Sequence, residues 1–129
     1  MCGGTLISSV FILTAAHCFV GITSPATHVR LGEHDISTTA DGVTIEDVAI
    51  KKITTHEGYT TTALQNDIAI LELERPVAFR AGVRPACLPD QFAKFDLSTL
   101  ARQPTIVGWG STTTGGTTVN ALRQVFKSF

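Results

Sequence analysis

Cys2-Gly3-Gly4-Thr5-Leu6-Ile7-Ser8-Ser9-Val10-Phe11-Ile12-Leu13-Thr14-Ala15-Ala16-His17-Cys18 decides the fold class. It holds two short apolar runs, Thr5 to Ile7 and Phe11 to Ala15, and then a histidine beside a cysteine. Both runs are too short for a stable helix and carry β-formers, so they read as strands. The same grammar continues outward through His28 to Leu31, Val43 to Ile53, Ile68 to Leu73 and Thr105 to Trp109. Between them stand Gly21, Pro25, Asp41-Gly42, Glu57-Gly58, Pro76, Gly82, Pro85 and Pro89, which supply turn chemistry. A further strand begins within Leu122 to Val125, and Ser111 to Thr118 with Gly115-Gly116 reads as a surface loop. Helix is confined to single turns, one at Ala15 to Cys18 and one within Asp96 to Arg102. The pattern predicts an all-β barrel or sandwich.

Composition narrows the function classes. With 129 residues, 43% of them hydrophobic, the chain can bury about two-thirds of its unfolded surface as one unit. Ten basic and eleven acidic residues give a formal net charge of -1, without runs of either sign. Nothing in that balance calls for nucleic acid or an anionic membrane as partner. No stretch approaches the ~18 to 20 apolar residues of a membrane-spanning helix, and Met1-Cys2-Gly3-Gly4 has neither the basic nor the apolar region of a secretion signal. Three cysteines are an odd number. In an oxidising compartment one of them pairs outside the chain or stays free, while in a reducing one all three can be buried thiols.

Taken alone, His17 beside Cys18 is more often a packed residue than a catalyst. Its surroundings reverse that weighting. Cys2-Gly3-Gly4-Thr5-Leu6-Ile7-Ser8, Phe11 to Cys18, Asn66-Asp67-Ile68-Ala69-Ile70-Leu71, Arg84-Pro85-Ala86-Cys87-Leu88-Pro89 and Gly108-Trp109-Gly110 follow one another in an order and spacing that resembles the chymotrypsin-like serine proteases. The resemblance runs from Cys2 to about Val125, and the wording is most similar to the arthropod clip-domain and related multidomain proteases.

The resemblance implies a chymotrypsin-like double β-barrel, with residues 1–104 forming most of the first barrel and its connecting segment, and 105–129 starting the second. It makes His17 the general base, since an imidazole exchanges protons near neutral pH. Asp67 becomes the acid that fixes the imidazole tautomer and stabilises the imidazolium. Because Ile68 to Leu71 is apolar on both faces, the Asp67 carboxylate is expected beside a packed core, with His17 as its partner. The competing reading of Asp67 is a strand-end cap.

Cys2 and Cys18 match the family's bridge between the strand start and the histidine turn. A loop of about 15 residues closed in this way is worth ~3 kcal/mol in the chain-entropy model. Zinc held by Cys2, Cys18 and a histidine is the weaker alternative, because neighbouring His17 and Cys18 rarely face one ion. Cys87 matches the cysteine that in many relatives links the catalytic domain to an N-terminal segment, and a free buried thiol is the plainer alternative. No cofactor is expected. A calcium loop, present in some relatives after the match to Gly32, has Glu33, Asp41 and Glu46 as its oxygen candidates, although acidic surface loops are far commoner. Tyr59 sits where relatives keep an aromatic near the acid, with edge packing an equal reading. His28, His34 and His56 read as exposed or structural.

No Gly-Asp-Ser-Gly-Gly segment occurs, and Ser8, Ser9, Ser111 and Ser128 lack that context, so nucleophile and oxyanion hole have no candidates among these residues. Two functional classes follow. One is a portion of a secreted serine endopeptidase that cleaves protein or peptide substrates after zymogen activation, inactive without its own N- and C-terminal segments. The other is a truncated, non-catalytic relative that acts as a binding partner or decoy. His17 and Asp67, both in intact family context, favour the first.

Overall fold

Seven strands and one 3₁₀ turn account for the regular structure of the computed structural model, which describes residues 2–38, 42–89 and 105–126. In chain order these are β1 (Thr5–Leu6), β2 (Phe11–Thr14), the 3₁₀ turn (Ala16–Cys18), β3 (His28–Leu31), β4 (Glu46–Thr55), β5 (Ala69–Leu73), β6 (Thr105–Gly108) and β7 (Arg123–Phe126). Each strand expected from the sequence is present, with no end moved by more than three residues and β3 unchanged. The second helical turn, expected within Asp96 to Arg102, lies outside the described residues.

The first unit is an antiparallel sheet in the order β1-β2-β5-β4-β3. Strand β2 is central because Ile12 faces Leu6 of β1 on one side and Leu71 of β5 on the other. Period-two alternation does the sorting. Ala69, Leu71 and Leu73 point into the core, while Ile70 is 41% exposed on the opposite face. The core is Leu6, Ile12, Val48, Leu71, Leu73, Val77 and Val83, with Phe19, Val29, Leu31, Ile50 and Ile53 packed against it.

Strand β4 starts at Glu46, later than the sequence suggests. The carbonyl of Thr44 accepts from Arg80 Nη2 at 3.1 Å, so a side chain takes the place of a ladder partner. The pairing of β4 with β5 shifts register between Ile50 and Lys52. Such a bulge bends the strand and sharpens its twist, which curls the sheet. Across β3 and β4, directly opposed Arg30 and Asp47 form a two-pronged ion pair with both bonds at 2.8 Å. Exposed as it is, that pair orients side chains more than it stabilises the fold.

The second unit contains the β6-β7 hairpin and, with it, residues 33–38. This grouping does not follow the order of the sequence. Backbone pairing is the reason: Ile36 N–H donates to the Asn120 carbonyl at 3.0 Å, Leu122 N–H to the His34 carbonyl at 2.8 Å, and Asp35 bridges to Ala121. The indole N–H of Trp109 also donates to the His34 carbonyl, at 3.0 Å. Such long-range bonds leave no periodic trace in a loop sequence.

Candidate active site

The pairing of β2 with β5 brings the site together. Thr14 lies opposite Ala69, so the residues just after β2 and just before β5 meet at one end of the sheet. His17 follows β2 on the 3₁₀ turn, whose Ala16 is fully buried, and Asp67 lies two residues before β5. Fifty positions apart in sequence, the two make a double contact. The His17 backbone N–H donates to Asp67 Oδ1 at 2.8 Å, and His17 Nδ1 lies 2.7 Å from Asp67 Oδ2.

This geometry fixes a tautomer. A carboxylate only accepts, so Nδ1 carries the proton and the Nε2 lone pair is left as a base. The His17 side-chain hydrogen bond, followed by the His17 backbone N–H, holds the Asp67 carboxyl below the usual carboxylate range, and the Ala16 N–H adds to it. Asp67 is thus ionised at neutral pH. Its side chain is 24% exposed and that of His17 55%, so the acid is less enclosed than the apolar run after it suggests. Outward-facing Ile68 and Ile70 are exposed and build no wall around it.

Cys2 and Cys18 are joined in a disulfide, which ties the residue after His17 to the start of β1. Although Cys2, His17 and Cys18 cluster, the two sulfurs are bonded to each other and do not form a metal site. Cys87 is a free, exposed thiol, which removes the buried-thiol alternative. In the 129-residue chain, alkylation without reductant is expected to label Cys87 alone, and peptide mapping to recover Cys2 joined to Cys18. Label on Cys18 before reduction would overturn this pairing.

Of the calcium candidates, Glu46 is already neutralised. Its Oε1 accepts from Arg75 at 2.6 Å and its Oε2 from Arg80 at 2.8 Å, and the Arg75 bond foremost depresses its pKa. A carboxylate held by two guanidinium groups does not fit a hard cation. Glu33 Oε1 accepts from the His34 N–H at 3.1 Å, and Asp41 lies outside the described residues.

The remaining polar candidates have local structural work. Ser8 Oγ accepts from the Val10 and Phe11 N–H groups, the Ser9 carbonyl accepts from the Val77 N–H, and Ser111 Oγ donates to the Thr113 carbonyl. Ser128 lies outside the described residues. Among the described residues, no serine hydroxyl is hydrogen-bonded to the His17 ring. His28 Nδ1 lies 2.9 Å from the Thr27 hydroxyl, and His56 Nδ1 accepts from the Gly58 N–H at 3.0 Å. Half-buried Tyr59 donates its N–H to the His56 carbonyl. Two features went unread in the sequence: the Arg75-Glu46-Arg80 cluster, and Asn66, whose φ of 56° is left-handed. The only sequence signal for the latter was an Asn directly before the acid.

A curled antiparallel sheet, nearly without helix, that carries a disulfide-tied histidine against an aspartate is the architecture of the chymotrypsin-like serine proteases. The chain belongs to the trypsin family, whose model ("Trypsin") matches residues 1–128. It is 36% identical over 130 residues to the proclotting enzyme of Tachypleus tridentatus, covering 96% of this chain and 34% of that protein. It is 43% identical over 126 residues to serine protease snk of Drosophila melanogaster, covering 96% of this chain and 27% of that one. Among solved structures it is similar to the Drosophila Grass clip serine protease of the Toll pathway, with a TM-score of 0.77 at 34% identity, over 97% of this chain and 38% of that chain. The chain spans about a third of the length of these relatives.

Proposed function

We propose that this chain supplies the general base and its orienting acid to a serine endopeptidase, with His17 as base and Asp67 as acid. The observation that carries the reading is the double contact of Asp67, one oxygen on the His17 backbone N–H at 2.8 Å and the other on Nδ1 at 2.7 Å. Held so, the ring presents Nε2 to a serine hydroxyl contributed by sequence outside these 129 residues. Nε2 takes the hydroxyl proton as the oxygen attacks the substrate carbonyl, and Asp67 stabilises the imidazolium that forms. The same proton then passes to the leaving amine, and water repeats the cycle to release the acyl group. The exposed Cys87 thiol is available to a cysteine elsewhere in the protease. Protein substrates and an extracellular setting accord with relatives named for clotting and for the Toll pathway.

A fluorophosphonate probe, which modifies only an activated serine, tests the division of labour. The complete activated protease should label stoichiometrically and hydrolyse a peptide amide, whereas the 129-residue chain alone should do neither. Labelling of a serine within the isolated chain would refute the proposal, and so would a complete protease that does not turn over.

A further inference from the structure

The geometry points to Asn66 as a positioning residue that aims the Asp67 carboxylate at His17, an inference that rests on the catalytic reading of those two residues. Three observations converge on it. First, the Asn66 carbonyl accepts from the Ile68 N–H at 2.8 Å, closing a three-residue γ-turn with Asp67 at its apex. Second, Asn66 holds a φ of 56°, in the left-handed region that Asn tolerates and most side chains resist. Third, its side-chain Nδ2 donates to the Gly58 carbonyl at 2.9 Å, fastening the turn to the far side of the loop.

The loop is shaped to receive that amide. Its two sides are joined by Thr60 N–H to the Gln65 carbonyl at 3.2 Å and by His56 N–H to the Ile68 carbonyl at 3.0 Å. At Gly58 a Cβ would stand 3.2 Å from Asn66 Nδ2 and 3.4 Å from the His56 ring, so a side chain there would push the amide away. Backbone turn, backbone handedness and side-chain anchor all belong to one residue, and its immediate neighbour must place two oxygens at once. A slight rotation of the turn breaks one of the two contacts to His17.

The Asn66 amide is anchored on the Gly58 carbonyl and makes no hydrogen bond to the His17 ring, so its effect should fall on the chemical step. In the complete activated protease, Asn66→Ala removes both the amide and the tolerance for left-handed backbone. It is expected to lower kcat roughly ten- to a hundredfold while KM stays within about twofold. Asn66→Gly keeps the backbone handedness and loses only the anchor, and Gly58→Ala displaces the anchor from the other side. Both should give intermediate losses of kcat. A spectroscopic readout separates aim from stability: the His17 Nδ1 proton, shared with Asp67, gives a far-downfield proton resonance that should move upfield or broaden in Asn66→Ala.

Val48→Ala serves as the reference, because it loosens the core away from the loop. It should lower the melting temperature and leave both kcat of the folded enzyme and the downfield resonance unchanged. If Asn66→Ala loses melting temperature alone and matches Val48→Ala in both other readouts, Asn66 is merely structural and the inference is overturned. Asp67→Asn in parallel distinguishes the two levels. If Asp67→Asn keeps its turnover, the catalytic reading and this inference fall together. If it abolishes turnover while Asn66→Ala behaves as wild type, only the role of Asn66 falls.

Discussion

Asp67→Asn in the complete activated protease should cut kcat by about 10⁴-fold, the scale this substitution has in chymotrypsin-like enzymes, equivalent to ~5.5 kcal/mol of transition-state stabilisation. The structure explains why the loss is chemical and not a matter of folding. Asparagine keeps one oxygen, which can still accept the His17 backbone N–H where Asp67 Oδ1 does so at 2.8 Å. The amide nitrogen then replaces Oδ2, 2.7 Å from Nδ1. That nitrogen only donates, so Nδ1 must become the acceptor and the ring proton moves to Nε2. A protonated Nε2 cannot take a proton from the nucleophile. Were Asp67 only a strand-end cap, the same change would cost ~1 kcal/mol of stability with the rate almost untouched. The measurement is kcat on a short amide substrate at neutral pH for wild type, Asp67→Asn and His17→Ala, with thermal melts alongside. A folded Asp67→Asn variant that retains more than about a tenth of wild-type turnover removes Asp67 from the catalytic role.

What the sequence made legible follows from what is local. Strands β2, β3 and β5 could be read because their apolar residues alternate or cluster over lengths that exclude a helix, and turn residues bracket them. The Ala16–Cys18 turn was legible as a single helical turn because Ala15-Ala16 favours helix. His17 and Asp67 were picked out by the segments around them, since neither residue carries a signal by itself. What could not be read depends on partners remote in sequence. Glu46 looks like a calcium ligand until Arg75 and Arg80, far along the chain, are seen to hold its two oxygens. Residues 33–38 look like part of the first unit until their backbone bonds to 120 and 122 are traced.

The enclosure of Asp67 shows a subtler failure. An apolar run such as Ile68-Ala69-Ile70-Leu71 suggests burial on both faces, but the residue that faces the core is decided by register. Leu71 is placed inward opposite Ile12 and Ile53, and Ile70 is then directed outward with Leu13 and Thr54. Composition alone cannot choose between the two phases. Asn66 was invisible on the same grounds, because left-handed backbone in a long loop leaves no pattern beyond the presence of an Asn or Gly.

Ile12→Ala should be the costliest single truncation in the first unit, at about 2 to 5 kcal/mol. Ile12 is 2% exposed at the centre of the sheet, hydrogen-bonded strands flank it on both sides, and it packs within the cluster of Leu6, Val48 and Leu71. Collapse around the vacated space is hindered by those ladders, so most of the cavity should persist. Gly4 offers a way to test whether the loss is a cavity. A Cβ on Gly4 would lie 2.7 Å from Ile12 Cγ2, close enough to clash with the wild-type side chain. Gly4→Ala alone should therefore destabilise through overpacking, by ~1 to 3 kcal/mol. Once Ile12 has been cut back to Ala, the same methyl enters space that is now empty, and its other neighbours at 3.4 Å and 3.8 Å are ordinary contacts. The double variant should then be more stable than the sum of the two single losses predicts. Urea midpoints of the complete protease, wild type and three variants, close this cycle, and kcat of the folded Ile12→Ala enzyme should stay within about twofold of wild type because the β2-β5 register that brings His17 and Asp67 together is held by backbone pairing that the substitution keeps. Strict additivity of the two substitutions would mean that Ile12 and Gly4 do not share that space, and the packing assigned to the centre of the sheet would be wrong.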